Sequence, residues 1–237
     1  MKLAIICAME EELAKILENI PFQFIRNLEK AGNSYNEYKY EDHTIIAVVS
    51  GIGKVNAAVT TQILLNSFEL DAVINVGVAG SLSANLGFGD VVIASDLVEH
   101  DFDITAFGVP LGQIARMDTF SFAADERLNK LLLAIELENN QVVSGRIVSG
   151  DQFIDNKEKA EFLHSEFGAL ACEMEGAAIA HVCYLNKIPF AVIRSLSDMA
   201  GRHGEAIYSF NDLKYMAAER AALVTRNLLN NIVGYFD

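Results

Sequence analysis

Along this chain, short apolar runs alternate with longer stretches of helical period, and the alternation predicts the elements. "KLAIICA" (2–8) is brief, continuous and rich in β-branched residues, which suits a buried strand. A helix is expected over 9–20. "NSYNEYKYEDHTIIAVVS" (33–50) reads as a hairpin that turns near Glu41, Asp42 and His43. Helical period returns at 54–68, while 71–76 and 90–98 read as strands and 125–138 as a helix. A strand follows at 141–149, then a helix at 156–167, and "GALACEM" (168–174) is a strand passing into a helix at 176–186. The series closes with a strand at 189–197 and a long helix at 211–233, for which Asn211 is a plausible cap. Strands alternating with helices imply an α/β fold whose parallel or mixed sheet is covered on both faces. With three prolines and no repeat or low-complexity tract, residues 1–237 read as a single domain.

Composition adds limits. Half of the residues (51%) are hydrophobic and 21% are charged, enough apolar material for a substantial core and too much for disorder. The net charge of −14, without a Lys/Arg cluster, disfavours nucleic acid and anionic membrane surfaces as partners. Cys7, Cys172 and Cys183 each lie in an apolar run without CxxC spacing, as free thiols in a reducing compartment do. The N-terminal apolar run is cut short by Glu10, Glu11 and Glu12, which argues against a signal peptide. No stretch approaches the about eighteen apolar residues of a spanning helix. A soluble, cytoplasmic protein is expected.

In open α/β sheets ligands bind beyond the carboxyl ends of the strands, so the residues there were compared. After the first strand come Met9 and the three glutamates; after 71–76 comes "GVAGS"; after 141–149 comes "GDQF"; after the strand at 168–174 comes "EMEG"; after 189–197 comes Asp198. Carboxylates dominate these ends, and none carries a cluster of Arg or Lys. An acid-lined site suits a neutral or cationic ligand and a transition state with positive charge, such as the oxocarbenium-like state of glycosidic cleavage. Each feature also has a plainer reading. Glu10 to Glu12 are the acids a helix dipole favours in a first turn, and Asp198 is a fair cap or turn residue. "SGIGK" (50–54) lacks the spacing of a phosphate loop or a dinucleotide fingerprint. "EHDFD" (99–103) has metal-ligand residue types but no helix-spaced His pair. Neither a metal nor a cofactor is expected.

"CEMEG" (172–176) is less easily set aside, because two glutamates stand in one of the most apolar parts of the chain. At a strand end, residues two apart share a face. A buried Glu there is tolerated if it accepts strong hydrogen bonds, and the vicinal hydroxyls of a ribose would supply two.

Taken together, "CAMEEE" (7–12), "SGIGKVNAA" (50–58), "INVGVAGSL" (74–82), "HDFDITAFG" (100–108), "SGDQFI" (149–154), "EMEGAAIAHVC" (173–183) and "RSLSDMA" (194–200) resemble the 5′-methylthioadenosine/S-adenosylhomocysteine nucleosidases of the nucleoside phosphorylase superfamily. The likeness runs nearly end to end. It implies a three-layer α/β/α sandwich around a mixed, twisted central sheet. It also implies that Glu12 activates the attacking water and that Asp198, beside Ser197, protonates the purine at N7. Glu175 would bind the ribose hydroxyls with Met174 against the sugar, and Glu173 would be either supporting structure or a second contact. Phe153 would stack on the purine, the backbone of Ile154 would meet its edge, and Met9, Ile52 and Phe210 would line the sugar and 5′ region near Ala79 and Gly80. Ile104 and Phe107 would reach the partner subunit's site, which implies a homodimer acting on a small nucleoside.

The nearest rival of the same fold is a phosphorylase, which needs cationic donors for phosphate. Where phosphorylases carry Arg and a hydroxyl residue, this chain has Asn75 and Val78, and glutamates fill the first loop. Many nucleosidases have Ser in place of Val78. A receptor that has lost catalysis is a further rival, against which the presence of Glu12, Glu175 and Asp198 together counts. The segment 199–209, with Arg202 and His203, reads equally as a lid favouring a carboxylate-tailed substrate and as a variable surface loop.

Overall fold

The computed structural model describes residues 1–201 and 205–232, without the side chains of 205–209. Five elements lead in: β1 (Lys2–Cys7), α1 (Glu10–Asn19), β2 (Gln23–Lys30), β3 (Asn33–Tyr40) and β4 (His43–Val49). Next come α2 (Lys54–Ser67), β5 (Ala72–Ser81), β6 (Val91–Glu99), a 3₁₀ turn at Thr105–Phe107 and the two-residue β7 (Phe122–Ala123). The chain continues through α3 (Glu126–Leu133), β8 (Val142–Ser149), α4 (Lys157–Phe167), β9 (Ala171–Glu173), α5 (Gly176–Asn186), β10 (Phe190–Met199) and α6 (Glu205–Asn231).

The strands form one mixed sheet in the order β10-β6-β8-β9-β5-β1-β4-β3-β2. β10 also pairs with β5, so five strands close into a ring from which the rest extend as an open sheet. β1, β4, β5 and β10 run parallel to their partners within this set, which brings their carboxyl ends to one edge. Side-chain alternation sorts the core into two layers. Leu3, Ile5 and Cys7 face one way, into a cluster with Leu13 and Ile16 of α1, Leu128 of α3 and Leu228 of α6. Ala4 and Ile6 face the other way, against Ala57 and Leu64 of α2 and Ala177 to Cys183 of α5. Helices therefore cover both faces, as the α/β/α expectation requires.

Several boundaries differ from the sequence reading. β2 was not anticipated: every residue in it is exposed, so an edge strand pairing only with β3 shows no buried alternation to detect. β5 runs on through "GVAGS", beyond the expected strand at 71–76, and β10 runs on through Asp198. Asp198 is thus neither a cap nor a turn residue; it lies within a strand, opposite Gly80, at a local shift in register. β9 is shorter than expected because Gly168, at φ +64, ends α4 in the left-handed conformation, so the strand begins only at Ala171. α3 stops at Leu133, short of 138. α6 begins at Glu205, so Asn211 lies inside the helix instead of capping it. Arg202 and His203 lie outside the described residues.

Candidate active site

The shared edge of β1, β5 and β10 opens into a cavity of about 310 Å³. Met9, Glu12, Ile52, Ala79, Gly80, Phe153, Ile154, Met174, Glu175, Ser197, Asp198 and Phe210 all line it, with Ala8, Val78, Gln152, Cys172 and Glu173 among them. Its size and largely apolar wall, broken by a few convergent carboxyls, suit a small organic ligand. Ile104 and Phe107 do not line the cavity of their own chain; Phe107 stands 84% exposed in the 3₁₀ turn.

Glu12 enters from the first turn of α1. Its side chain folds back so that Oε2 accepts the N–H groups of Ala8 (2.9 Å) and Met9 (3.0 Å), which otherwise lack helical partners. Oε1 accepts the N–H of Val78 at 3.0 Å. Glu12 is thus at once an acid of the first helical turn and a lining group of the cavity. Gly77 makes room for it, since a Cβ there would lie 2.7 Å from Oε1. Burial raises the pKa of Glu12, against the charge of Arg194 and the three N–H donors, which favour the carboxylate.

Arg194 was missed as a site residue, and it is the largest fully buried side chain. Its signal was present: a guanidinium inside the apolar strand "PFAVIRSLS" poses the same question as the paired glutamates. Nη2 donates to Glu173 Oε2 at 2.5 Å and to Asn75 Oδ1 at 2.5 Å, and Asn75 Nδ2 donates to the carbonyl of Ile6 at 2.9 Å. Glu173 Oε2 also accepts the N–H groups of Glu175 (3.1 Å) and Gly176 (2.8 Å) at the start of α5. Ser149 donates its hydroxyl to Glu173 Oε1 and accepts the N–H of Ala177 at 2.7 Å. Glu173 is therefore fully engaged in joining β10, β8 and the N-terminus of α5.

Glu175 differs. Besides its cavity face it has, among the described residues, one protein donor, the N–H of Gly53 at 2.8 Å. Burial pushes its pKa up, the neighbouring Glu173 adds to the rise, and Arg194 and the Gly53 N–H oppose it. The "SGIGK" turn thus aims a backbone N–H at a carboxylate of its own chain. The acids of "EHDFD" are also taken: Lys54 Nζ bonds Asp101 at 2.5 Å and Glu99 at 3.2 Å, and Glu99 holds His181 Nδ1 at 3.1 Å. Asp101 in turn accepts the N–H of Asp151 (2.9 Å), and Asp151 accepts the N–H of Lys54 (2.8 Å). This closed set of contacts fixes the loop that carries Phe153. Among the described residues, no group of three or more His, Cys, Asp or Glu side chains is placed to hold a metal.

Asp198 enters the cavity from β10. Burial pushes its pKa up to about 6, against a hydrogen bond from Ser197 Oγ to Oδ1 at 3.0 Å, and the charge of Asp155 adds to the rise. Gly80 leaves it space, since a Cβ there would come within 2.9 Å of Oδ2. Phe153 and Phe210 face each other edge-to-face at 6.0 Å beside the opening. Cys172 lines the cavity, and burial pushes its thiol well above the ordinary value, so it is not a ready nucleophile. Burial thus raises two of the lining carboxyls toward neutral pH, Asp198 to about 6 and Glu175 to about 8, while Glu12 is fastened by three backbone donors and Glu173 is held by Arg194.

Residues 2–230 match the Phosphorylase superfamily. The chain is 42% identical over 221 residues to the 5′-methylthioadenosine/S-adenosylhomocysteine nucleosidase of Bacillus pumilus, covering 92% of this chain and 94% of that one. It is 37% identical to the aminodeoxyfutalosine nucleosidase of Campylobacter jejuni, covering 94% and 95% respectively. Among solved structures, an Asp-to-Asn mutant of the Helicobacter pylori nucleosidase with 5′-methylthioadenosine in its active site superposes with a TM-score of 0.91 at 36% identity, covering 97% of this chain and 98% of that one.

The raised pKa of Asp198 has a consequence for stability. A carboxyl that is harder to ionise in the folded than in the unfolded chain lowers stability as pH rises from about 4, and the loss is complete above about 6. Asp198→Asn is expected to exceed the wild type in stability at pH 8 by on the order of 2 kcal/mol, with the difference shrinking toward pH 4. Urea unfolding at both pH values measures this; a difference independent of pH would contradict it.

Proposed function

This chain belongs to the 5′-methylthioadenosine/S-adenosylhomocysteine nucleosidase family of the phosphorylase superfamily, and from that premise we propose how its own residues act. The substrate is a 5′-substituted adenine nucleoside, and the N-glycosidic bond is hydrolysed. The purine lies against Phe153 with its edge at the backbone of Ile154, and the ribose lies between Met174 and Glu175. Asp198 passes its proton to N7, so that the electron pair of the C1′–N9 bond leaves with neutral adenine. Water attacks C1′ and gives its proton to Glu12, leaving the 5-substituted ribose. Positive charge develops on the ribose as the bond breaks, and it strengthens the hydroxyl contacts of Glu175 in the transition state more than in the ground state. Asp198 and Glu12 divide the acid and base roles by environment.

The observation that supports hydrolysis most directly is the engagement of Arg194. Phosphate requires free cationic donors. The guanidinium behind this cavity is already committed to Glu173 and Asn75, while Glu12 takes the backbone donor at Val78. The same chemistry would serve an aminodeoxyfutalosine, or 5′-deoxyadenosine, since only the 5′ substituent changes. A homodimer fits the exposed apolar surface: Ile52, Val55, Val59 and Phe107 are at least 46% exposed, and Val55 and Val59 are four apart on α2. In that arrangement Ile104 and Phe107 would complete the partner's 5′ pocket.

Adenine release from methylthioadenosine is expected to proceed at an unchanged rate in phosphate-free buffer, followed by the absorbance change on cleavage. A strict phosphate requirement with ribose 1-phosphate as product would overturn the reading. Glu175→Ala is expected to lower kcat/KM by roughly a thousandfold with little change in the unfolding midpoint. Glu173→Ala leaves the guanidinium of Arg194 without its carboxylate and is expected to cost about 3–5 kcal/mol of stability. If the two variants lost stability alike, the division of roles between these glutamates would be wrong.

A further inference from the structure

The cavity accounts for an adenine, a ribose and the start of a 5′ substituent, but α6 places one more group at its rim. Phe210, Lys214 and Ala217–Ala218 are spaced three and four apart, so they share a face of the helix. Phe210 lines the cavity, and Ala217 and Ala218 pack with Met9 and Val78, which also line it. Lys214 lies on this face, with Nζ 5.6 Å from the centre of the Phe210 ring and 5.3 Å from that of Tyr215. Its ammonium meets Glu11 Oε1 at 3.0 Å, and Glu11 lies in the first turn of α1, between the cavity-lining Met9 and Glu12 in the sequence. Glu11 and Lys214 both retain access to solvent, at 33% and 18% of their side chains. Neither is used by the chemistry above.

We infer that the Glu11–Lys214 pair is a subsite for a zwitterionic amino-acid tail on the 5′ substituent, with Lys214 taking the carboxylate and Glu11 the ammonium. The inference rests on the proposed nucleosidase activity and names what sets its substrate preference. S-adenosylhomocysteine ends in such a tail, whereas methylthioadenosine ends in a methyl group. A bare carboxylate approaching this cavity meets Glu12, Glu175 and Asp198, and a protein of net charge −14. Among the described residues, Arg194 is engaged by Glu173, and Lys54 by Glu99 and Asp101. An ion pair at the rim offers both signs at once, at a spacing that a tail carrying both signs can replace contact for contact. The partly exposed pair is weak by itself, so exchanging it for tail contacts costs little. The Phe210 ring, over which the ammonium of Lys214 lies, leaves the methyl-tailed substrate an apolar wall.

The test is the ratio of kcat/KM for S-adenosylhomocysteine to that for methylthioadenosine. Lys214→Met keeps the stem and removes the charge; Glu11→Gln keeps the size and removes the charge. Each is expected to lower the ratio by about five- to tenfold. Raising the salt is expected to lower the wild-type ratio and to leave that of Lys214→Met unchanged. A pair that only fastens α1 to α6 would shift both substrates alike, so an unchanged ratio in both variants overturns the subsite. If wild-type protein releases adenine from neither substrate, the nucleosidase reading itself falls, and the subsite with it.

Discussion

One buried cation organises the acids of this site. Arg194 lies within β10 with almost no exposure, and its guanidinium joins Glu173 of β9 to Asn75 of β5. A buried ion pair of this kind is poor as a source of net stability, because desolvating both charges costs about what their attraction returns. Its value is positional. With Arg194 fixed, Glu173 is held where it caps α5, and Glu175 follows as the residue that turns into the helix with its carboxyl toward the cavity. The charge of Arg194 also lowers the pKa of Glu12 and Glu175 against their burial. It is not among the influences on Asp198, where burial and the charge of Asp155 raise the pKa and the Ser197 hydroxyl opposes them. Carboxyls that look equivalent in the sequence thus become chemically different according to their place around a single guanidinium.

Close backbone approach is the second constraint. Two glycines of β5 make room for two of the cavity-lining carboxyls, Gly77 for Glu12 and Gly80 for Asp198. They lie where the strand continues past its expected end at 76, and carboxyls from α1 and β10 occupy space that side chains of β5 would fill. The ring of contacts among Lys54, Asp101 and Asp151 does comparable work at the rim, holding the turn that reaches Glu175 and the loop that carries Phe153.

Much of this could be read from the residues. The alternation of apolar runs placed most of the buried strands and helices, since each has a face that must be covered. Resemblance located the cavity-lining side chains, and the structure gathers them around one opening. What escaped has physical reasons. β2 is exposed along its whole length and carries no pattern. Asp198 looked like a residue beyond its strand because its surroundings there are supplied by other segments. The separate fates of Glu173 and Glu175 depend on Arg194, Ser149 and Gly53, at distances of 21 to 122 residues along the chain. No local pattern encodes such partners.

If burial keeps a proton on Asp198, that carboxyl can act as an acid near neutral pH; if it is ionised like an exposed aspartate, it cannot. The direct measurement is a carbon-13 NMR titration of the Asp198 carboxyl in the ligand-free protein, assigned by its loss in Asp198→Asn. A midpoint near 6 is expected. A midpoint at or below the ordinary value of 3.8 would leave no proton there to give, and the division of acid and base around this cavity would be wrong.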